Sequence, residues 1–275
     1  MKSILVFLLF GCLLVNAPLL SQEKITVKGS DTMVILAQRW AEKYMAAHPD
    51  VTIQVTGGGS GTGISALING TTDICNSSRP MKPSERDKLK QRFGSRGVEI
   101  ATAQDGLSVY VNQSNPLVEL SIDQVKDIYT GKIMNWKALG GPDAPIILYG
   151  RENNSGTYVY FRDNVLMGED YSASMQSMPG TAAVVNAVSK DKNGIGYGGA
   201  AYGVGIREVK IKKDAGSAAY APTVENMKSG NYPLSRFLYL YVKNKPTGKM
   251  KEYIDWILGD EGQAVVSQVG YFPIR

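Results

Sequence analysis

Short β-branched runs alternate with amphipathic stretches from residue 25 onward, and this order restricts the chain more than any other feature. Residues 25–28 are β-rich, and Val34, Ala37, Trp40, Ala41 and Tyr44 then recur at helical spacing until Pro49 stops the helix. A strand over 51–56, a short helix over 64–69, a strand over 73–76, a charged surface helix over 83–93 and a strand over 98–103 follow. This β-α-β-α-β order requires a parallel sheet with helices on its faces. A new apolar strand begins at 107–111, and Ser121 with Gln124 forms a capping box that opens a helix through Tyr129. Strands are expected at 146–149, 194–199 and 238–242, helices at 157–166 and 181–188, and a short exposed strand at 209–211. The chain closes on helices over 247–258 and 260–269, the second opened by a capping box of Asp260 and Gln263. No Ser/Gly-rich tether divides the sequence, so two lobes, if present, are joined by strands.

Ahead of this pattern, Lys2 and an apolar run over 4–15 read as a leader, too short to span a bilayer, with cleavage expected after Ser21. Leu9-Phe10-Gly11-Cys12 resembles a lipobox, and processing there leaves a lipidated Cys12. The mature chain then keeps Cys75 as its one thiol, read as a core residue, with no disulfide and no metal-binding pair. The single histidine, His48, ends a surface helix and is not read as a catalyst. Thirty basic residues against 25 acidic ones give a net charge of +5. They are spread along the chain, which excludes nucleic acid as the main partner. No catalytic residue, metal site or cofactor is expected, and without a long apolar heptad the chain is expected to be a monomer.

Three segments share one design, a strand leading through a Gly/Ser/Thr loop into a helix. They are Gly29-Ser30-Asp31-Thr32, the glycine-rich loop 57–63 containing Ser60 and Gly61, and the run from Arg151 to Ser155-Gly156-Thr157. Each junction presents free backbone N–H groups at the positive end of a helix dipole, an arrangement suited to anions. Glycine permits close approach and the hydroxyls add donors. A fourth segment, Asn76-Ser77-Ser78-Arg79-Pro80, ends a strand, and Arg79 and Arg151 can each give paired hydrogen bonds to an oxyanion. The loop 57–63 lacks the Gly-Lys-Ser/Thr ending of a nucleotide-binding P-loop. Three anion-competent helix starts without a catalytic base favour binding over chemistry.

These markers, together with Asp105-Gly106-Leu107, the run from Ile128 to Trp136, Tyr232-Pro233-Leu234-Ser235-Arg236 and Glu261-Gly262-Gln263, resemble the phosphate-binding proteins of Pst-type ABC transporters. The resemblance covers nearly the whole mature chain. It implies an α/β, type II periplasmic-binding-protein fold with two Rossmann-like lobes joined by hinge strands. One lobe would comprise 24–104 and 225–275, the other 105–224. It further implies an exported, non-enzymatic protein that takes inorganic phosphate and serves the membrane permease of an ABC transporter. A receptor for sulfate or molybdate, or a phosphate sensor, is the alternative. The implied ligands are Ser60 with Gly61 and Ser78 in the first lobe, and Arg151, Ser155, Gly156 and Thr157 in the second. Ser30, Asp31 and Thr32 cover a further family position, and Arg79 adds a guanidinium. Long family members carry an aspartate, followed by a small residue, where this chain has Ser78-Arg79. That aspartate accepts the proton of phosphate, so here Asp31 or a backbone carbonyl is expected to take the acceptor role.

Overall fold

The computed structural model describes residues 22–274. The leader expected over 1–21 and its alternative processing at Cys12 lie outside the described residues. The chain runs β1 (Glu23–Gly29), α1 (Val34–Ala47), β2 (Val51–Thr56), α2 (Ser60–Asn69), β3 (Ile74–Ser77), α3 (Pro83–Phe93) and β4 (Val98–Val111). It continues through β5 (Glu119–Ser121), α4 (Ile122–Tyr129), β6 (Ile147–Arg151), α5 (Gly156–Asn164), β7 (Gln176–Met178), α6 (Thr181–Lys190), β8 (Gly194–Gly199), β9 (Arg207–Lys212) and β10 (Ala219–Tyr220). It ends with α7 (Val224–Lys228), β11 (Ser235–Val242), α8 (Gly248–Leu258) and α9 (Asp260–Val269).

The strands line up as β2-β1-β3-β11-β4-β8-β6-β7. The expected parallel pairing holds at both ends, where β1 runs parallel to β2 and β3, and β6 parallel to β8 and β7. The middle differs, because β11 inserts antiparallel between β3 and β4. Two cores result. Ile25, Trp40, Ile53, Ile74, Leu240 and Val266 pack in the first lobe, where the Trp40 indole also donates to Gly262 O of α9 at 2.8 Å. Val109, Trp136, Leu148, Phe161, Tyr197 and Ile211 pack in the second. Full burial of side chains of this size contributes roughly 1.5–3 kcal/mol each, so each lobe holds a core of its own.

The structure corrects four local expectations. The two strands expected at 98–103 and 107–111 are one strand, β4. The polar Gln104-Asp105-Gly106 break does not interrupt pairing, because these residues face Phe237, Arg236 and Ser235 of β11. β4 and β11 therefore pass together between the lobes, and beyond Gly106 β4 pairs with β8 and β9. Second, α2 begins at Ser60 rather than at 64. Gly59, at φ +91°, turns the chain so that Ser60-Gly61-Thr62-Gly63 becomes the first helical turn. Third, β9 is buried at Val209 and Ile211 rather than exposed, since it is covered by β4, β5 and β10. Fourth, α9 is not opened by a capping box. Gln263 donates instead to Thr102 O and Ile257 O at 3.0 and 2.9 Å and accepts from the Ile274 N–H at 3.0 Å. The Ser121–Gln124 capping box does form.

Candidate anion-binding site

Folding brings the four loops read from the sequence to one place between the lobes. The parallel strands β1 and β3 end side by side, so Ser30 N–H donates to Asn76 O at 2.9 Å and the first and fourth loops adjoin. Ser30 Oγ donates to Ser78 Oγ at 3.0 Å, and Ser78 Oγ lies 3.3 Å from Ser60 Oγ. From the second lobe, the N-terminus of α5 is set directly opposite: a Cβ on Gly156 would lie 2.4 Å from Ser60 Oγ and 2.6 Å from Ser78 Oγ. Thr32 Oγ1 and Thr157 Oγ1 meet at 2.9 Å across the same gap, and Gly61 N–H donates to Asn154 O at 2.9 Å. Ser30, Thr32, Ser60, Ser78, Ser155 and Thr157 are all buried.

Local hydrogen bonds orient these hydroxyls. Ser155 Oγ caps α5 by accepting from Thr157 N–H and Tyr158 N–H at 3.1 and 3.4 Å. Ser60 Oγ accepts from Ser78 N–H at 3.0 Å. Each hydroxyl has one proton, and because the backbone N–H groups only donate to it, that proton remains to be given to an acceptor.

The charges are arranged in two pairs. Arg151, at the end of β6 and 1 % exposed, donates from Nη1 to Thr181 Oγ1 at 2.7 Å and from Nη2 to Asp31 Oδ2 at 2.8 Å. Asp31 Oδ1 accepts from the Gly58 N–H at 2.7 Å. The carboxylate thus belongs to the first lobe and neutralises an arginine of the second. Burial pulls the Arg151 guanidinium below its ordinary value, and Asp31 opposes that shift. Arg151 Nε is buried and has no hydrogen-bond partner among the described residues. The second pair, Arg236 with Asp105, joins the crossing strands.

Arg79 departs from the expected set. Its Nη1 and Nη2 donate to the Glu85 carboxylate at 2.8 and 2.7 Å, and Nη1 also donates to Pro80 O at 2.9 Å. Glu85 lies in the first turn of α3 and also accepts from Lys82 N–H at 2.7 Å. The guanidinium therefore clamps the start of α3, and its assignment as an oxyanion donor is corrected to that structural role. Arg236 was missed by reasoning from anion loops, because it lies in none. Its signal was present only in Tyr232-Pro233-Leu234-Ser235-Arg236, a run singled out without a role.

Residues 16–261 match the model of the PBP superfamily domain. The phosphate-binding protein PstS of Pseudomonas aeruginosa is 35% identical over 263 residues, covering 90% of this chain and 81% of that one. The chain belongs to this family. The PstS of Staphylococcus haemolyticus is 37% identical over 254 residues, covering 89% of this chain and 79% of its own. Among solved structures, a protein from Clostridium perfringens described as a phosphate ABC transporter substrate-binding protein, with phosphate bound, superposes with a TM-score of 0.84. It is 31% identical and covers 92% of this chain and 100% of its own. A phosphate transport receptor from Vibrio cholerae gives a TM-score of 0.72 at 28% identity, covering 90% of this chain and 99% of its own. The α/β fold of two lobes joined by strands is thus that of the periplasmic-binding proteins.

Proposed function

We propose that this protein captures inorganic phosphate between its lobes and delivers it to the membrane permease of a phosphate ABC transporter. The observation that carries this reading is the convergence of hydroxyl and N–H donors from both lobes on one buried point beside Arg151, in a family whose relatives bear the name phosphate-binding protein. Ser30, Thr32, Ser60 with Gly61, and Ser78 serve the anion from one side, and Arg151, Ser155, Gly156 and Thr157 from the other. Asp31 holds Arg151 and supplies the acceptor that a protonated phosphate can use and sulfate cannot.

The lobes 24–104 with 225–275, and 105–224, act as the two moving bodies. Phosphate docks on one, and closure of the other completes the shell and excludes water, which strengthens each contact. An anion held by both lobes favours the closed state by the contacts it gains there. The protein works by binding rather than catalysis, as an exported monomer. Among the described residues no helix is long and apolar enough to cross a membrane.

Isothermal titration of the full mature chain, freed of bound anion, tests the reading. One-to-one phosphate binding with no response to sulfate or molybdate is expected. Sulfate bound as tightly as phosphate, or no binding of either, overturns it.

A further inference from the structure

Beyond α9 the chain returns to the lobe crossing. Gly270, at φ +96°, turns it out of the helix, and Tyr271 N–H donates back to Val266 O at 3.0 Å. Phe272 N–H then donates to Gln104 O at 3.0 Å, and Gln104 N–H to Phe272 O at 2.7 Å. Gln104 faces Phe237 of β11 on its other edge, so the C-terminal tail lies beside the crossing as a third segment. Its side chains divide between the cores. Tyr271 belongs to the first and Phe272 to the second, which it shares with Met227, Tyr232 and Leu234. Gln263 Oε1 secures the end of the tail by accepting from Ile274 N–H at 3.0 Å.

From this tail a phenol reaches the first anion loop. Tyr271 OH is buried and donates to the backbone carbonyl of Thr32. The carbonyl just before it, Asp31 O, accepts from Tyr202 OH at 2.7 Å. Tyr202 ends the short helical turn that follows β8 (Ala200–Tyr202), on the second-lobe side. A Cβ on Gly270 would lie 3.5 Å from Ala201 Cα, so the tail and this turn adjoin. A carbonyl oxygen only accepts, which makes both phenols the donors. Burial pushes both up, Tyr202 to about 12, so each keeps its proton at neutral pH. A peptide unit is planar, so holding a carbonyl also directs the N–H across the same plane. For the Thr32 carbonyl that N–H is the one of Met33, which closes the loop by donating to Ser30 O at 3.0 Å.

We propose that Tyr271 and Tyr202 are positioning residues for the first anion loop, and that through Tyr271 the C-terminal tail sets phosphate affinity from outside the ligand shell. The inference rests on the phosphate reading above. Tyr271 stays with the lobe that carries Thr32 and keeps the loop preset before the anion arrives. A preset loop spares binding the cost of ordering it. Tyr202 reaches Asp31 across the gap between the lobes, so its bond forms on closure and holds the closed state against release.

Amide hydrogen exchange of the full mature chain without anion, joined to phosphate titration and release kinetics, tests this. Tyr271→Phe removes one hydroxyl and keeps the ring in the first core. Exchange should quicken at the first anion loop and the first turn of α1 while α9 and β4 stay protected. Phosphate affinity should fall roughly three- to thirtyfold. Tyr202→Phe should quicken phosphate release by a similar factor and leave exchange of the anion-free loop as it was. Tyr44→Phe is the control, because Tyr44 OH is buried in the first lobe with no hydrogen-bond partner among the described residues, and it should alter neither readout. In Tyr271→Phe, unchanged loop exchange, unchanged affinity, or a loosening that spreads through α9 and β4 overturns the inference alone. Unchanged release in Tyr202→Phe removes that residue from it. Failure of the unaltered chain to bind phosphate overturns the functional reading, while loop exchange in Tyr271→Phe still decides whether the phenol positions the loop.

Discussion

Gly156 faces Ser60 so closely that a Cβ on the glycine would lie 2.4 Å from the serine Oγ. One residue comes from the N-terminus of α5 and the other from that of α2, so this approach measures how tightly the lobes meet. Gly156→Ala should oppose it without disturbing either core. Phosphate affinity is expected to fall roughly ten- to hundredfold, the scale of overpacking by one methyl group. The thermal midpoint without phosphate should change little, while the rise in Tm that phosphate confers should shrink. Unaltered affinity in this variant would mean that the anion is held by one lobe alone.

Arg151 is expected to dominate the charge recognition. Arg151→Ala should weaken phosphate binding by about 2–5 kcal/mol, because it also leaves Asp31 without its partner. A loss below tenfold, ~1.4 kcal/mol, measured by titration calorimetry, would take this arginine out of the ligand shell.

Asp31 is predicted to bear on selectivity. Asp31→Asn keeps an oxygen for the Gly58 N–H but removes the counter-charge of Arg151. Sulfate should gain on phosphate by about tenfold, or ~1.4 kcal/mol, in a competition titration. An unchanged ratio would show that another group discriminates between the two anions.

The Arg79–Glu85 clamp predicts an acid limb in stability. Burial alone would push the Glu85 carboxyl up. The hydrogen bonds from Arg79 and Lys82 outweigh it and hold the group below the usual carboxylate value. With the folded value the lower one, the contribution is complete above the unfolded value and is lost as pH falls through the folded value. Glu85→Gln should therefore cost ~2 kcal/mol at neutral pH and progressively less in acid, read from denaturant midpoints. Arg79→Ala should lower stability in the same way but reduce phosphate affinity far less than Arg151→Ala.

Cys75 is fully buried, and burial pushes its thiol well up. An alkylating reagent at neutral pH should label it only when denaturant opens the first lobe. Rapid labelling of the native protein would contradict the packing around α2 and β3.

Much of the candidate anion site was legible because it is local. Ser155, Gly156 and Thr157 sit where a strand turns into a helix, and the N-terminal geometry of α5 follows from that junction alone. The Arg79 role was not legible, since nothing in Ser78-Arg79 tells whether a guanidinium turns to a ligand or to the helix six residues on. Arg236 was harder still. It meets Asp105 across 131 residues of sequence, and only the register of β11 on β4 brings the two together. The same register explains why one long strand was read as two. Gln104-Asp105-Gly106 breaks the apolar run because its central carboxylate is met by a partner, not because the backbone stops.

The shared passage of β4 and β11 has a practical side. Each lobe borrows part of its central sheet from strands that also build the other. Cutting the chain at the crossing would strip paired neighbours from both fragments and expose raw sheet edges, the kind of surface on which chains aggregate. A reporter or fusion partner is better inserted at an exposed turn such as Gly205 or Gly230, where a Cβ meets nothing within 4 Å.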